Sequence, residues 1–339
     1  MRRMSYYYIR LRCYLCVRAI NVKSKPLIII GCISAIFSCT PIPRQCFPED
    51  FIDTVEVCGP EEINKLIASA RDSLSMNNDT SIHRRLSVYY RMLGTPSSRR
   101  MSIDEIDKAI LYSPDDPMNH VEKGLTLYSM QFIGDARRSF ERAVRLDPGC
   151  FHAWYHLARM KKSEYLRNMC FSRDNEEAIA LYKKALNVDN GHEDTLFNLG
   201  FLHIFRRMYG TALEYASRAL LLYPENPRNH LLMGTILLRL KRFSESRAEF
   251  EKALALMDER QRRTYEDSSF LLSPGEAEPY LAWPDTARAE WDKRFWLMND
   301  PTPATEINER LLSHYERVFL ACELLEHKRL NLAGNETAR

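Results

Sequence analysis

The sequence predicts an all-α protein, a solenoid of about four to five helical hairpins with a helical segment at its C-terminal end. Three observations carry that expectation. The middle of the chain resembles itself at a spacing of 34 residues, which marks stacked supersecondary units rather than one irregular core. At each return the same places hold small residues, and a proline or an acid closes the unit. After residue 260 this register fails, and new cap and corner signals begin. With 45% hydrophobic and 27% charged residues over 339 positions, the composition suits a globular body with a sizeable core.

Charge sets the N-terminus apart. The net charge is +3, yet Arg2, Arg3, Arg10, Arg12, Arg18, Lys23 and Lys25 all precede Cys39 and no acid occurs before Glu49. Removing those seven charges leaves −4 for residues 39–339, so no basic face for nucleic acid is expected in the folded part. The basic stretch leads into an uncharged run, Leu27 to Phe37, whose 11 residues are too few to span a membrane. The run ends in Ile36-Phe37-Ser38-Cys39, which resembles the lipobox of bacterial lipoproteins, with Phe37 departing from the usual small or aliphatic residue. That resemblance implies a removed signal over 1–38, a lipid on Cys39 and a location at the periplasmic face of the bacterial cell envelope. An uncleaved anchor or a misassigned start are the alternatives.

Residues 39–59 are Pro-rich and aperiodic, as a tether would be, and Cys46 and Cys58 could pair outside the cytoplasm. Of the nine cysteines, Cys150, Cys170 and Cys322 fall in helical patterns and are expected to be buried apolar residues. Residues 60–82 read as a leading helix covering the open edge of the stack.

Five units follow, at 83–116, 117–150, 151–192, 193–226 and 227–260. Counting from Pro117, Gly124 stands at position 8, Ala136 at 20, Phe140 at 24, Ala143 at 27 and Pro148 at 32. The same positions hold Gly200, Ala212, Ala216, Ala219 and Pro224, then Gly234, Ser246, Phe250, Ala253 and Asp258. Small residues at 8, 20 and 27 let two helices approach closely, and a large residue at 24 is expected to fill the gap between neighbouring units. Proline at 32 stops the second helix. The 151–192 unit keeps register only with an insertion of about eight residues near 166–173, and in the first unit Tyr90 stands where a small residue belongs.

This pattern resembles the tetratricopeptide repeat. The resemblance implies a concave face lined by first-helix positions 2, 5, 9, 12 and 13. On this sequence those are Val121, Leu125 and Tyr128, then His152, Tyr155, Arg159 and Lys162, then Phe197, Phe201 and Phe205, then Arg228, Leu231, Leu238 and Arg239. Such a groove is aromatic with a few cations. It would dock an extended peptide or helix of a partner, or be filled by the C-terminal segment of the same chain. The clamp of chaperone-tail binders is absent, because Val121 and Leu125 occupy its first places.

Beyond 260, Ser273, Asp285 and Thr305 are expected to cap three helices, and Asn299 to stop the second in the left-handed conformation. Ile307, Leu311, Tyr315, Val318, Phe319 and Cys322 would form the buried stripe of the last helix, with its charges off that stripe. The run 270–284, Phe295 with Trp296, and Asp300 to Arg317 are similar to the start of the GWxTD domain, found in bacterial, often exported proteins. The defining motif would come next, but the chain ends at Arg339 with Asn335 in its tryptophan place. The resemblance thus implies a truncated domain over 261–339.

No phosphate loop, nucleophile elbow or zinc signature occurs, so no catalytic residue, metal or cofactor is assigned. His152 and His156 lack the acid of a metalloprotease pair, and Asp300, Glu309 and His314 fit a helix corner better than acid-base chemistry. The expected function is that of a non-enzymatic, membrane-tethered interaction scaffold. The alternative is a recruitment arm for an envelope enzyme whose active part lies in a missing C-terminal domain.

Overall fold

The structure, a computed structural model, describes residues 59–76, 79–168 and 175–336. Cys39, Cys46, Cys58 and Cys170 lie outside these residues, as do the signal and most of the tether. Among the described residues there are fifteen α-helices and one 3-10 turn, and no strand. The helices are α1 (Pro60–Met76), α2 (Thr80–Leu93), α3 (Pro96–Tyr112), α4 (Pro117–Ser129), α5 (Ile133–Leu146), α6 (Phe151–Asn168), α7 (Glu176–Val188) and α8 (Glu193–Phe205). They continue as α9 (Tyr209–Leu222), α10 (Pro227–Arg239), α11 (Phe243–Leu256), α12 (Glu259–Glu266), α13 (Pro274–Ala282), α14 (Asp285–Met298) and α15 (Glu309–Glu336). They fall into two compact units that divide between Asn190 and Gly191: the first holds α1 to α5, most of α6 and α7, the second α8 to α14 and most of α15.

Five antiparallel hairpins, α2/α3 through α10/α11, bear out the solenoid expectation. Asp79, Thr95, Asp116 and Asn226 each cap a helix by accepting a backbone N–H two or three residues on, and proline occupies the first helical position after the last three. Within three hairpins the turn has one geometry. Gln131, Arg207 and Lys241, all at position 15, take positive φ of 66°, 57° and 61°. The left-handed residue lets the next N–H reach back to a carbonyl of the first helix, as Phe132 does to Leu127 and Arg242 to Leu237, both at 2.9 Å.

Close packing follows from positions 8 and 24, though not as expected. A methyl group on Gly124 would lie 2.6 Å from the ring of Phe140, and one on Gly234 3.0 Å from Phe250. The large residue therefore fills a cavity inside its own hairpin instead of the gap between neighbours. Where position 24 is Ala216, Leu232 of the following hairpin comes within 3.0 Å of the same point on Gly200. Tyr90, standing in the small place of the first hairpin, packs with Ile63, Ile67 and Ala70 of α1.

Between hairpins a polar clasp recurs. The side chain at position 4 donates to the carbonyl of the proline closing the previous unit: His120 to Pro114 at 2.9 Å, Trp154 to Pro148 at 2.9 Å and His230 to Pro224 at 2.8 Å. Proline at 32 thus both ends a helix and presents an unclaimed carbonyl. Buried Asn119 adds bonds to the Ala109 and Ser113 carbonyls, and Asn229 one to that of Tyr223. In the first unit a buried chain of hydroxyls, Ser87 to Ser102 to Thr126, links α2, α3 and α4.

Several boundaries differ from expectation. The first hairpin begins at Thr80, because Asp79 provides the cap. The insertion lengthens α6 to 18 residues, against 13 in α4, α8 and α10. Asp258, in the proline place of the fifth unit, caps α12 in a capping box with Gln261. Asp285 is the first residue of α14, after Pro284, rather than its cap. Asn299 is not left-handed (φ −100°), and instead donates its side chain to the Phe295 carbonyl. Thr305 belongs to the turn, and α15 is capped by Asn308, which accepts from the Leu311 N–H at 3.0 Å.

Replacing Gly124 by Ala should lower stability by ~1–3 kcal/mol through overpacking against Phe140. Gly134→Ala, where the added methyl meets nothing within 4 Å, should be neutral or stabilise by up to ~1 kcal/mol. Urea melts of the two variants would separate close approach from helix propensity.

Candidate functional site

The first unit carries seven of the expected groove residues, and three of them are core. Val121 is fully buried, Lys162 is buried, and Tyr155 is buried between Phe151 (ring centroids 5.6 Å) and Tyr182 (6.1 Å). Leu125, Tyr128, His152 and Arg159 are half-buried, with the Arg159 guanidinium 5.6 Å over the Tyr155 ring. His156, the partner of His152 in the sequence pair, stacks on Phe140 at 5.3 Å. Glu122, a neighbour of Val121, is fully buried and receives Arg91 at 2.8 and 3.1 Å.

The second unit gives its groove residues an occupant. Phe197 and Phe201 stack on each other, and Phe319 of α15 meets both edge-on at 6.2 and 6.3 Å. Phe205 packs on Phe201 at 5.1 Å, Leu231 is buried, and Leu238 is half-buried. The Arg228 guanidinium lies 3.7 Å over the Phe197 ring and grips Glu323 of α15 with two bonds, at 2.8 and 2.9 Å. Asp194 holds the same guanidinium at 2.8 Å. One helical stretch away, Arg239 bonds Glu316 at 2.5 Å. Glu316 and Glu323 are buried, and burial raises the Glu316 carboxyl above its ordinary value despite Arg239.

Phe197 and Phe201 are thus covered by the chain's own C-terminal helix, one of the two occupants expected. The stripe of α15 departs from expectation too. Leu312, Val318, Phe319 and Leu320 are buried, Cys322 is half-buried, and the two acids join the packed face. Their signal was present as spacing: Glu316, Phe319 and Glu323 stand at i, i+3 and i+7, one stripe of a helix. Reading the acids as a solvated face hid it. Glu316 and Glu323 meet Arg239 and Arg228, and Phe319 meets the two rings. Long side chains make the contact.

A family model described as tetratricopeptide repeat matches residues 121–161 and 202–261. Over those residues the chain is similar to the tetratricopeptide repeat. No curated protein matches the sequence. Solved structures similar to it include PilF of Pseudomonas aeruginosa, with 16% identity over 69% of this chain and 94% of that one and a TM-score of 0.47. A thermophilic tetratricopeptide protein of Thermus thermophilus shows 19% identity over 57% and 100% of the two chains, TM-score 0.43. MamA from Desulfovibrio magneticus shows 18% over 54% and 96%, TM-score 0.43.

After the hairpins, the corner residues Asp300, Glu309 and His314 have separate structural roles. Asp300 accepts the Thr302 N–H at 2.9 Å, Glu309 is the half-buried first residue of α15, and buried His314 donates Nε2–H to the Tyr265 carbonyl at 2.9 Å. Trp296 lies 4.7 Å from the His314 ring, and burial lowers the imidazole pKa to about 4. Beside this corner a cleft of about 790 Å³ is lined by Arg247 and Glu251 of the last repeat and by residues of α12 to α15. Its deepest acid, Asp292, takes hydrogen bonds from the Ser268 hydroxyl and from Tyr280 at 2.7 Å, and burial raises its carboxyl above the ordinary value. Those donors tie Asp292 to the turn before α13 and to α13 itself, a structural use of the acid. Among the described residues no group of three or more metal-ligating side chains is brought together.

His314 makes stability pH-dependent. Its folded pKa lies below the unfolded value near 6.5, so the unfolded chain binds the proton first and stability falls as pH drops from about 6.5 to 4. The share of His314 over that window is about 3 kcal/mol. In a pH series of urea melts, His314→Gln should flatten the slope relative to the unsubstituted chain.

Proposed function

We propose that the protein is a non-enzymatic interaction scaffold, held at a membrane in the bacterial cell envelope by a lipid on Cys39, whose repeat groove recognises a helix. Tetratricopeptide arrays present surfaces to protein partners, and one observation carries the more specific reading. In the second unit the groove grips a helix through a stacked phenylalanine pair and two arginines. An aromatic floor with charged rims suits a helix laid into a groove, with i, i+3 and i+7 anchors. The half-buried Leu125, Tyr128 and His152 of the first unit offer partner-facing side chains of the same kind. The helices after residue 260 are read as the beginning of a GWxTD domain, and the chain's tether as residues 39–59. The partner is another envelope protein.

The cleft beside α14 favours a second reading, in which the repeats recruit an envelope enzyme whose active part lies elsewhere. Acids and cations of the last repeat and of the following helices share that cleft, as a joint between the scaffold and a further domain would require.

Tethering and docking are tested separately. Cys39→Ala should move the protein from the membrane to the soluble fraction and abolish labelling by a fatty-acid analogue; retention in the membrane would overturn the lipid anchor. A photo-crosslinking residue at Tyr128 should join the protein to a partner in cells, whereas one at the exposed Leu221 should not. Equal crosslinking at both positions would sink the groove reading.

A further inference from the structure

We infer that residues 316–323 of α15 act as a built-in ligand of the repeat groove, and that the groove's external partner is an amphipathic helix carrying glutamate, phenylalanine and glutamate at i, i+3 and i+7. This rests on the reading of the groove as a partner surface and names the chemistry that surface selects.

The recognition code can be read from the occupant. Glu316 meets Arg239, Phe319 meets the Phe197 and Phe201 rings, and Glu323 meets Arg228. Seven residues of helix rise about 10 Å, against about 16 Å for the eleven that separate Arg228 from Arg239 on α10, and the long arginine side chains close the difference. Asp194 and the Phe197 ring hold the Arg228 guanidinium in place on the groove side, so this anchor is positioned by groups that do not belong to α15. A helix lacking the acid opposite Arg239 would cost that arginine its ion pair in a partly buried place, whereas Arg228 would keep Asp194, so wrong ligands are rejected most strongly at Arg239.

The same chemistry makes the occupant exchangeable. Burying an ion pair removes both charges from water, and the attraction between them roughly offsets that loss, so the two pairs add specificity more than stability. The first turns of α15 are fixed independently, by His314 on Tyr265 and by Asn308 on the Trp296 carbonyl at 2.6 Å. The part beyond Tyr315 can therefore leave the groove while the helix stays anchored at its start. Ala321, Cys322 and Leu324, on its outer side, are half-buried.

Hydrogen exchange on the full chain tests whether this segment opens. Amides of residues 316–324 should exchange at least tenfold faster than those of α8 and α10, through local opening; equal protection would make α15 an inseparable part of the core and overturn the inference. The exchange test needs no substitution, so it holds even where a variant fails to fold. A fluorescent peptide of residues 309–326 then probes the vacated groove in trans. It should bind the folded Glu316→Arg, Glu323→Arg double variant at least tenfold more tightly than the unsubstituted chain, and adding Arg228→Glu should remove that binding. A peptide with Phe319→Ala and both glutamates changed to lysine should not bind. No binding of the first peptide to the folded double variant, or equal binding of both peptides, would overturn the inference. Crosslinking at Tyr128 would be unaffected by either result, so failure of the built-in ligand is distinguishable from failure of the scaffold reading.

Discussion

Everything in the repeat array depends on how near two helices of a hairpin can come. Glycine at position 8 removes the only atom that would keep the first helix away from the residue at position 24, and a phenylalanine ring takes the space. Dispersion contacts of this kind are individually small, but they are lost steeply with separation, so a few tenths of an ångström decide whether the hairpin closes. The constraint belongs to the pair of positions and not to either residue. Where alanine stands at 24, Leu232 crosses from the next hairpin to meet Gly200, and the site is still filled. Once the hairpins are fixed, their first helices present consecutive side chains to one side, and the groove follows from that.

Much of this was legible because the responsible signals are local and periodic. Glycine at 8, alanine at 20 and 27 and proline at 32 fix helices, turns and stops within one unit, so the fold class and the hairpin register could be read from the chain alone. The polar clasp was also within reach, as a donor-bearing ring six residues after each closing proline, but a proline is easily read as punctuation and its carbonyl overlooked. Helix starts after residue 260 were less legible. Asp285, Thr305 and Asn299 each carry the side chain of a cap, and which of several polar residues performs it depends on backbone angles that composition does not determine.

The groove was legible as a set of positions and not as a set of environments. Phe197 and Phe201 were recognised as groove residues, but their cover comes from Phe319, more than a hundred residues later. Val121, Tyr155 and Lys162 occupy groove positions by count and are buried in fact. The acids of α15 were misread for a physical reason. A charged residue on a helix is ordinarily solvated, and only the placement of Arg228 and Arg239 on the facing helix makes burial of Glu316 and Glu323 tolerable. Such pairing is non-local, and no periodicity announces it.

The recurring clasp also bears on how the array would come apart. Three junctions are tied by a ring N–H on a proline carbonyl, each between hairpins of the same compact unit. In an array whose cooperativity rests on nearest-neighbour coupling, each clasp is a latch between one hairpin and the next. Under heat, denaturant or mechanical tension, clasped hairpins of one unit would stay together until their own latches give way.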